Sequence, residues 1–227
     1  MFEPHVILND LEFSEAQIHE YEKEPVETGK ILFYGSSTFT RWAPFRGMRP
    51  LSEDIRKKDG SAIAINHAFG TSTTEELLYY YPRLICPWRP SVLVLTTGLN
   101  DFSRGYELAE TKALLERLFA YARYDMPGLS IRMTDIRPIL KHKYDNDSFY
   151  FDHVARFNEM ADSFEKEYDN FRLIRHRTCP LFYEAPEYTG QYSRLRGDIF
   201  VEDQVHYNQT GYDLYREFFT AELDEFL

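Results

Sequence analysis

Two short stretches at opposite ends of the chain carry the residue types of nucleophilic catalysis: Gly35-Ser36-Ser37-Thr38 and Asp203-Gln204-Val205-His206. A carboxylate three residues from an imidazole can hold one ring nitrogen and fix the tautomer, which leaves the other nitrogen free to accept a proton. On one helical turn that spacing puts both side chains on the same face. A serine hydroxyl at its ordinary pKa is a poor nucleophile and needs such a base within hydrogen-bond reach. Ser37 is the candidate nucleophile. Gly98-Leu99-Asn100-Asp101 adds a side-chain amide, Asn100, able to donate to a developing oxyanion, and a carboxylate, Asp101, able to hold loop N–H groups. The Gly70-Thr71 corner offers a further backbone N–H, with glycine permitting close approach. The other six histidines, His5, His19, His67, His142, His153 and His176, read as surface or packing residues; His67 alone sits on a candidate site loop.

These residues need a scaffold that brings them together. Ile31-Leu32-Phe33-Tyr34 is a continuous apolar run that reads as a strand buried on both faces, and it empties directly into the Ser36-Ser37 loop. In an open α/β sheet, ligands bind outside the carboxyl ends of the strands. Further strands are predicted at 62–66, 91–97, 129–134 and 172–175. Between them, Thr74–Tyr81 is helical with Pro82 closing it, and Leu108, Leu115, Leu118 and Ala122 mark one helical face. Val154, Phe157, Ala161 and Phe164 mark another, and Tyr212, Tyr215, Phe219, Leu223 and Phe226 a final one. Ser14 with Gln17 predicts a capping-box start for a helix of about ten residues. Residues 39–60 read as irregular with a helical part in 51–58, and 177–202 as a long loop. The alternation predicts an α/β fold, a parallel sheet covered by helices on both faces. It is expected to be one domain over 1–227, with 1–29 a helical extension packed on it.

Composition excludes several classes. The formal charge of -11 over 227 residues argues against a nucleic-acid or anionic-membrane surface. No apolar run approaches the roughly 20 residues that span a bilayer. The start, Met1-Phe2-Glu3-Pro4-His5, lacks a basic segment followed by an apolar one, so a cytoplasmic location is expected. Cys86 and Cys179 are too few and too far apart in sequence for a disulfide framework or a zinc site, and catalysis by a serine nucleophile calls for no metal or cofactor, so none is expected.

Taken in order, the loops resemble the SGNH hydrolases, also called the GDSL esterase/lipase family, in the branch whose first block reads Gly-Ser-Ser. Ile31 to Ser37 with Trp42 matches the first block, Asn66 to Thr73 the second, Gly98 to Asp101 the third, and Asp203 to His206 with Tyr207, Asn208 and Gly211 the fifth. The resemblance runs from about Lys30 to the last helix. It implies a three-layer αβα sandwich on a five-stranded parallel sheet, the flavodoxin-like arrangement. It also implies roles: Ser37 as nucleophile, His206 as general base, Asp203 as its orienting partner, and an oxyanion hole from the N–H of Ser37, a backbone N–H at Gly70 or Thr71, and the Asn100 side chain. Ser36 stands where the family usually has aspartate. Thr71 stands where it usually has glycine, although threonine resists positive φ.

The implied activity is hydrolysis of a small acyl or acetyl ester through a covalent acyl-enzyme, with acetylated carbohydrate or short-chain esters as substrates by analogy. Thioesterase and acyltransferase activity would use the same residues. A catalytically silent binding protein would lack one of Ser37, Asp203 and His206, yet all are present. An α/β-hydrolase needs Gly-x-Ser-x-Gly, and a nucleotide-binding domain needs Gly-x-Gly-x-x-Gly or a P-loop; neither occurs. Loops 39–60, 137–148 and 180–202 are expected to wall the substrate pocket, with Arg41, Trp42, Arg137 and Tyr192 as substrate-binding candidates. The expected partner is a small-molecule ester, with a homo-oligomer left open.

Overall fold

Ile31, Leu32, Phe33 and Tyr34 are all fully buried, as a strand covered on both faces requires. The computed structural model describes residues 11–137, 139–140, 148–184 and 195–227. Along the chain these form α1 (Leu11–Glu22), β1 (Ile31–Gly35), α2 (Ser37–Thr40), α3 (Leu51–Asp54), β2 (Ala64–Asn66), α4 (Thr74–Leu84) and β3 (Val92–Thr96). There follow α5 (Leu99–Ser103), α6 (Leu108–Asp125), β4 (Ser130–Thr134), α7 (Ser148–Glu167), β5 (Phe171–Ile174) and α8 (Gln209–Glu222), with short 3₁₀ turns between them. The five strands are parallel in the order β2-β1-β3-β4-β5. That is the doubly wound order in which the chain reverses direction between β1 and β3, the point where such sheets place their sites.

The pleat divides the core in two. Leu32 and Tyr34 of β1, with Leu93 and Leu95 of β3, face α4, α6 and α7 through Leu77, Leu118 and Phe157. Ile31 and Phe33, with Val92 and Val94, face the other layer, where Phe39, Trp42, Tyr212, Tyr215 and Phe219 pack edge to face. Burying each such ring stabilises the fold by about 1.5–3 kcal/mol, so α8 is firmly seated. The αβα sandwich and its five-stranded parallel sheet match the expectation.

Three local expectations fail. Ser14 does not cap a helix: α1 already runs at Leu11, and Ser14 is buried within it. Pro82 does not end α4, which continues to Leu84. The proline forgoes one backbone bond, but Tyr81 and Leu84 on either side of it are buried in the core, and that burial offsets the loss. The start of α4 instead carries the capping box: Thr73 Oγ1 accepts from the N–H of Glu76, and Glu76 accepts from the N–H of Thr73. Finally, Asp203 to His206 is a turn rather than a helix, with Gln204 at φ 59°.

Candidate active site

Ser37 is lifted from the sheet by a junction that only glycine can make. Gly35 closes β1 at φ 148°, and a Cβ there would lie 2.3 Å from the carbonyl oxygen of Thr96 on β3. Ser36 follows in extended conformation, and Ser37 opens α2, where its N–H lies among the donors a helix start leaves unused. Ser37 Oγ is 2.8 Å from His206 Nε2, bridging 169 positions of sequence. The neighbouring Ser36 hydroxyl has no hydrogen-bond partner among the described residues.

His206 is held from three sides. Its Nδ1 donates to Asp203 Oδ2 at 2.7 Å; a carboxylate only accepts, so Nδ1 carries the proton and Nε2 presents its lone pair to Ser37. Asp203 Oδ1 accepts from the N–H groups of Val205 and His206 at 2.9 and 2.8 Å, which explains why the turn closes on its own carboxylate. The carbonyl of His206 accepts from Val201 N–H, and Tyr207 pairs with Phe200, so the loop is tied to the strand-like segment before it. Arg137 Nη2 donates to the carbonyl of Val205, and its guanidinium lies 4.5 Å from the centre of the Tyr207 ring. One cation thus touches both residues flanking His206.

Burial would raise the Asp203 carboxyl, but the His206 N–H, the His206 ring and the Val205 N–H together hold it at about 2. Burial pushes His206 down to about 4; Asp203 opposes this, while Arg137 and Arg41 add repulsion. A neutral ring is the form that accepts a proton. For the ester hydrolysis that the resemblance implies, kcat/KM on a neutral ester should therefore stay level from pH 7 to about pH 5 and fall tenfold per unit only below about pH 4. A pH profile measured between 3.5 and 8 checks this; a fall beginning near 6.5, the value of an unperturbed histidine, contradicts it.

The second and third loops are bound to one another by Asp101. Its Oδ1 accepts from Thr74 N–H at 3.0 Å and its Oδ2 from Gly98 N–H at 3.2 Å and the Thr97 hydroxyl at 3.3 Å, all buried. Asp101→Ala would strand these donors without water, and should cost about 3 kcal/mol of stability, read as a lower urea midpoint. A change under about 1 kcal/mol would show that the carboxylate does not hold the loops. Asn100, beside it, donates one amide N–H to the carbonyl of Ser72 at 2.9 Å, leaving its second N–H for a ligand.

Of the two candidate backbone donors, Gly70 is already engaged: its N–H donates to Gln17 Oε1 at 3.1 Å. Thr71 is exposed at φ 61°, the left-handed region that threonine resists, and its N–H has no partner among the described residues. The loop keeps the conformation that glycine would take, held by Gln17 on Gly70 and by Tyr21 Oη on the carbonyl of Ala68 at 2.6 Å. Both anchors belong to α1.

Other candidates separate. Trp42 is fully buried, donates to Asp54 Oδ2 at 2.8 Å and stacks on Tyr212, so it packs the core and lines neither cavity at Ser37 formed by the described residues. Arg41 is half-buried, with Nη1 3.4 Å from Asp203 Oδ2. Tyr192 lies outside the described residues, as does the rest of 185–194 within the 180–202 loop. His67 is buried between Tyr21 and Trp88, its Nδ1 donating to the carbonyl of Leu84, and does not face Ser37.

Two cavities meet at Ser37 and His206. One, of about 170 Å³, is lined by Ser36, Thr71, Ser72, Thr97, Asn100 and Arg137. The other, of about 520 Å³, lies between α1 and the 40–46 segment, with Phe13, Tyr21, Thr40 and Phe45 on its walls. The role of α1 as a wall has no local signal in the sequence, because Gln17, Tyr21 and Phe13 act on a loop some fifty positions away. Among the described residues no helix is long and apolar enough to cross a membrane.

The family model for GDSL-like Lipase/Acylhydrolase matches residues 33–217. Among solved structures, a Streptococcus pneumonia chain superposes with TM-score 0.71 at 17% identity, covering 95% of this chain and 93% of its own. A GDSL-like lipase from Bacteroides thetaiotaomicron gives 0.67 at 14%, covering 94% and 98%. The psychrotrophic esterase EstA from Pseudoalteromonas sp., in a structure inhibited by monoethylphosphonate, gives 0.63 at 15%, covering 87% and 98%. At these identities the likeness to solved structures establishes the fold. Among curated proteins no match to the chain is found.

Proposed function

From the premise that the chain belongs to the GDSL-like lipase/acylhydrolase family and is an ester-bond hydrolase, we propose that it is a serine esterase that cleaves small acyl esters through a covalent acyl-enzyme. The observation that carries this reading is the run of contacts from Asp203 through His206 to Ser37, at 2.7 and 2.8 Å, with the imidazole lone pair on the serine hydroxyl. In the proposed reaction Ser37 Oγ attacks the ester carbonyl carbon as its proton passes to His206 Nε2, and Asp203 stabilises the imidazolium. The carbonyl oxygen becomes an oxyanion facing the N–H groups of Ser37 and Thr71 and the free N–H of Asn100. Collapse expels the alcohol, which takes the proton from His206. Water, deprotonated by the same nitrogen, then adds to the acyl carbon; the ester bond to Ser37 breaks as Oγ takes that proton back from His206, and the acid leaves.

An acyl-enzyme predicts a signature in the time course. Mixing the protein with excess 4-nitrophenyl acetate should release a burst of nitrophenol approaching one equivalent per chain before the slower steady state, because deacylation limits an activated ester. Linear release from the first turnover, together with no acetyl group on the quenched protein by mass spectrometry, would reject the covalent route.

A further inference from the structure

The unequal cavities on either side of Ser37 give the site a direction. We infer that the natural substrate pairs a short acyl group, held in the small cavity, with a bulky apolar alcohol, aromatic or branched, held in the cleft under α1. This rests on the esterase reading above and adds to it which half of the ester goes where.

Asn100 lines the small cavity and not the cleft, while Ser37, Thr71 and His206 line both. An ester whose carbonyl oxygen reaches all three oxyanion donors must place its carbonyl in the small cavity, so that one of the two groups on the carbonyl carbon lies there and the other points into the cleft. At about 170 Å³ this space lies below the roughly 300–1,000 Å³ of sites that hold drug-sized ligands, and its walls mix hydroxyls, an amide and a guanidinium with the apolar side chains of Leu99, Ile136 and Val205. It suits a few carbons. The cleft, at about 520 Å³, falls within that range and its walls are mainly apolar.

The order of bond breaking assigns the halves. After the first step the acyl carbon stays bonded to Ser37 with its oxygen among the donors, while the alcohol must depart before water can attack. The departing half belongs in the space that opens to solvent, and Phe13 and Phe45 on the cleft walls are 49% and 64% exposed. An apolar alcohol would cover two aromatic rings that are otherwise left in water. The charges at the rim, Glu20 against Arg41 and Arg46, are of both signs and select for neither.

Two constitutional isomers read this directly: 2-phenylethyl acetate, with a small acyl and a large alcohol, and methyl 3-phenylpropanoate, with the halves exchanged. The acetate should be cleaved with a kcat/KM at least about tenfold higher. Phe45→Ala, a change at an exposed residue, should lower kcat/KM for 2-phenylethyl acetate by about tenfold more than it lowers that for ethyl acetate. Equal or faster cleavage of methyl 3-phenylpropanoate overturns the inference, as does faster cleavage of an acetylated xylo-oligosaccharide; in both cases the esterase reading stands. If none of these esters is cleaved and Ser37 resists a phosphonate reagent, the esterase reading falls too.

Discussion

Ser37→Ala is expected to lower kcat for a short-chain ester by at least about 10⁴-fold, because it removes the atom to which the acyl group is transferred and leaves only binding and the oxyanion donors. The fold should survive. Ser37 is half-buried at the first position of α2, and alanine there keeps the helix while losing one side-chain hydrogen bond. Equal melting temperatures for variant and parent would assign the loss to chemistry. Ser36→Ala is the internal control: it too faces the small cavity, but its hydroxyl makes no contact with His206, and its loss should cost less than about tenfold. If Ser36→Ala proved inactive while Ser37→Ala remained active, the nucleophile would be the other serine and the Ser37–His206 contact incidental.

Asp203→Asn should lower kcat by about 10³–10⁴-fold, and kcat/KM by the same factor, with little change in KM. The carboxylate does two separable things. Its Oδ1 closes the turn on the N–H groups of Val205 and His206, and its Oδ2 accepts the ring Nδ1–H. An asparagine that keeps its carbonyl oxygen on the turn presents an NH₂ to the ring. The imidazole then carries its proton on Nε2, aimed at Ser37, and cannot accept another. Restored turn geometry with lost activity is therefore the expected result, read by circular dichroism and steady-state kinetics. A loss under about tenfold would mean that His206 works without Asp203, with solvent accepting the ring Nδ1–H instead.

What the sequence made legible was local. The apolar runs ending at Gly35 and Thr96 announce strands because both faces are covered, and the spacing of Asp203 and His206 was visible as a pair. Their backbone was not: a turn that closes on its own carboxylate with Gln204 at positive φ has no helical periodicity to detect. Trp42 looked like a pocket residue because it follows the serine loop, yet its indole N–H finds Asp54 and its face finds Tyr212, 170 positions later, and such pairings leave no local pattern. The same holds for α1. Gln17 occupies the N–H of Gly70 and so leaves that of Thr71 as the unengaged donor at the corner, a decision made by a helix that the sequence presents only as an extension.

The central claim is that one serine oxygen becomes covalently bonded during turnover, and labelling tests it most directly. The protein would be incubated with an ethyl 4-nitrophenyl phosphonate, digested, and the peptides sequenced by mass spectrometry. A single ethylphosphonyl group on Ser37, blocked when His206 is replaced by alanine, is the predicted result. A label on Ser36 or Ser72, or an unlabelled protein that still hydrolyses esters, would contradict it.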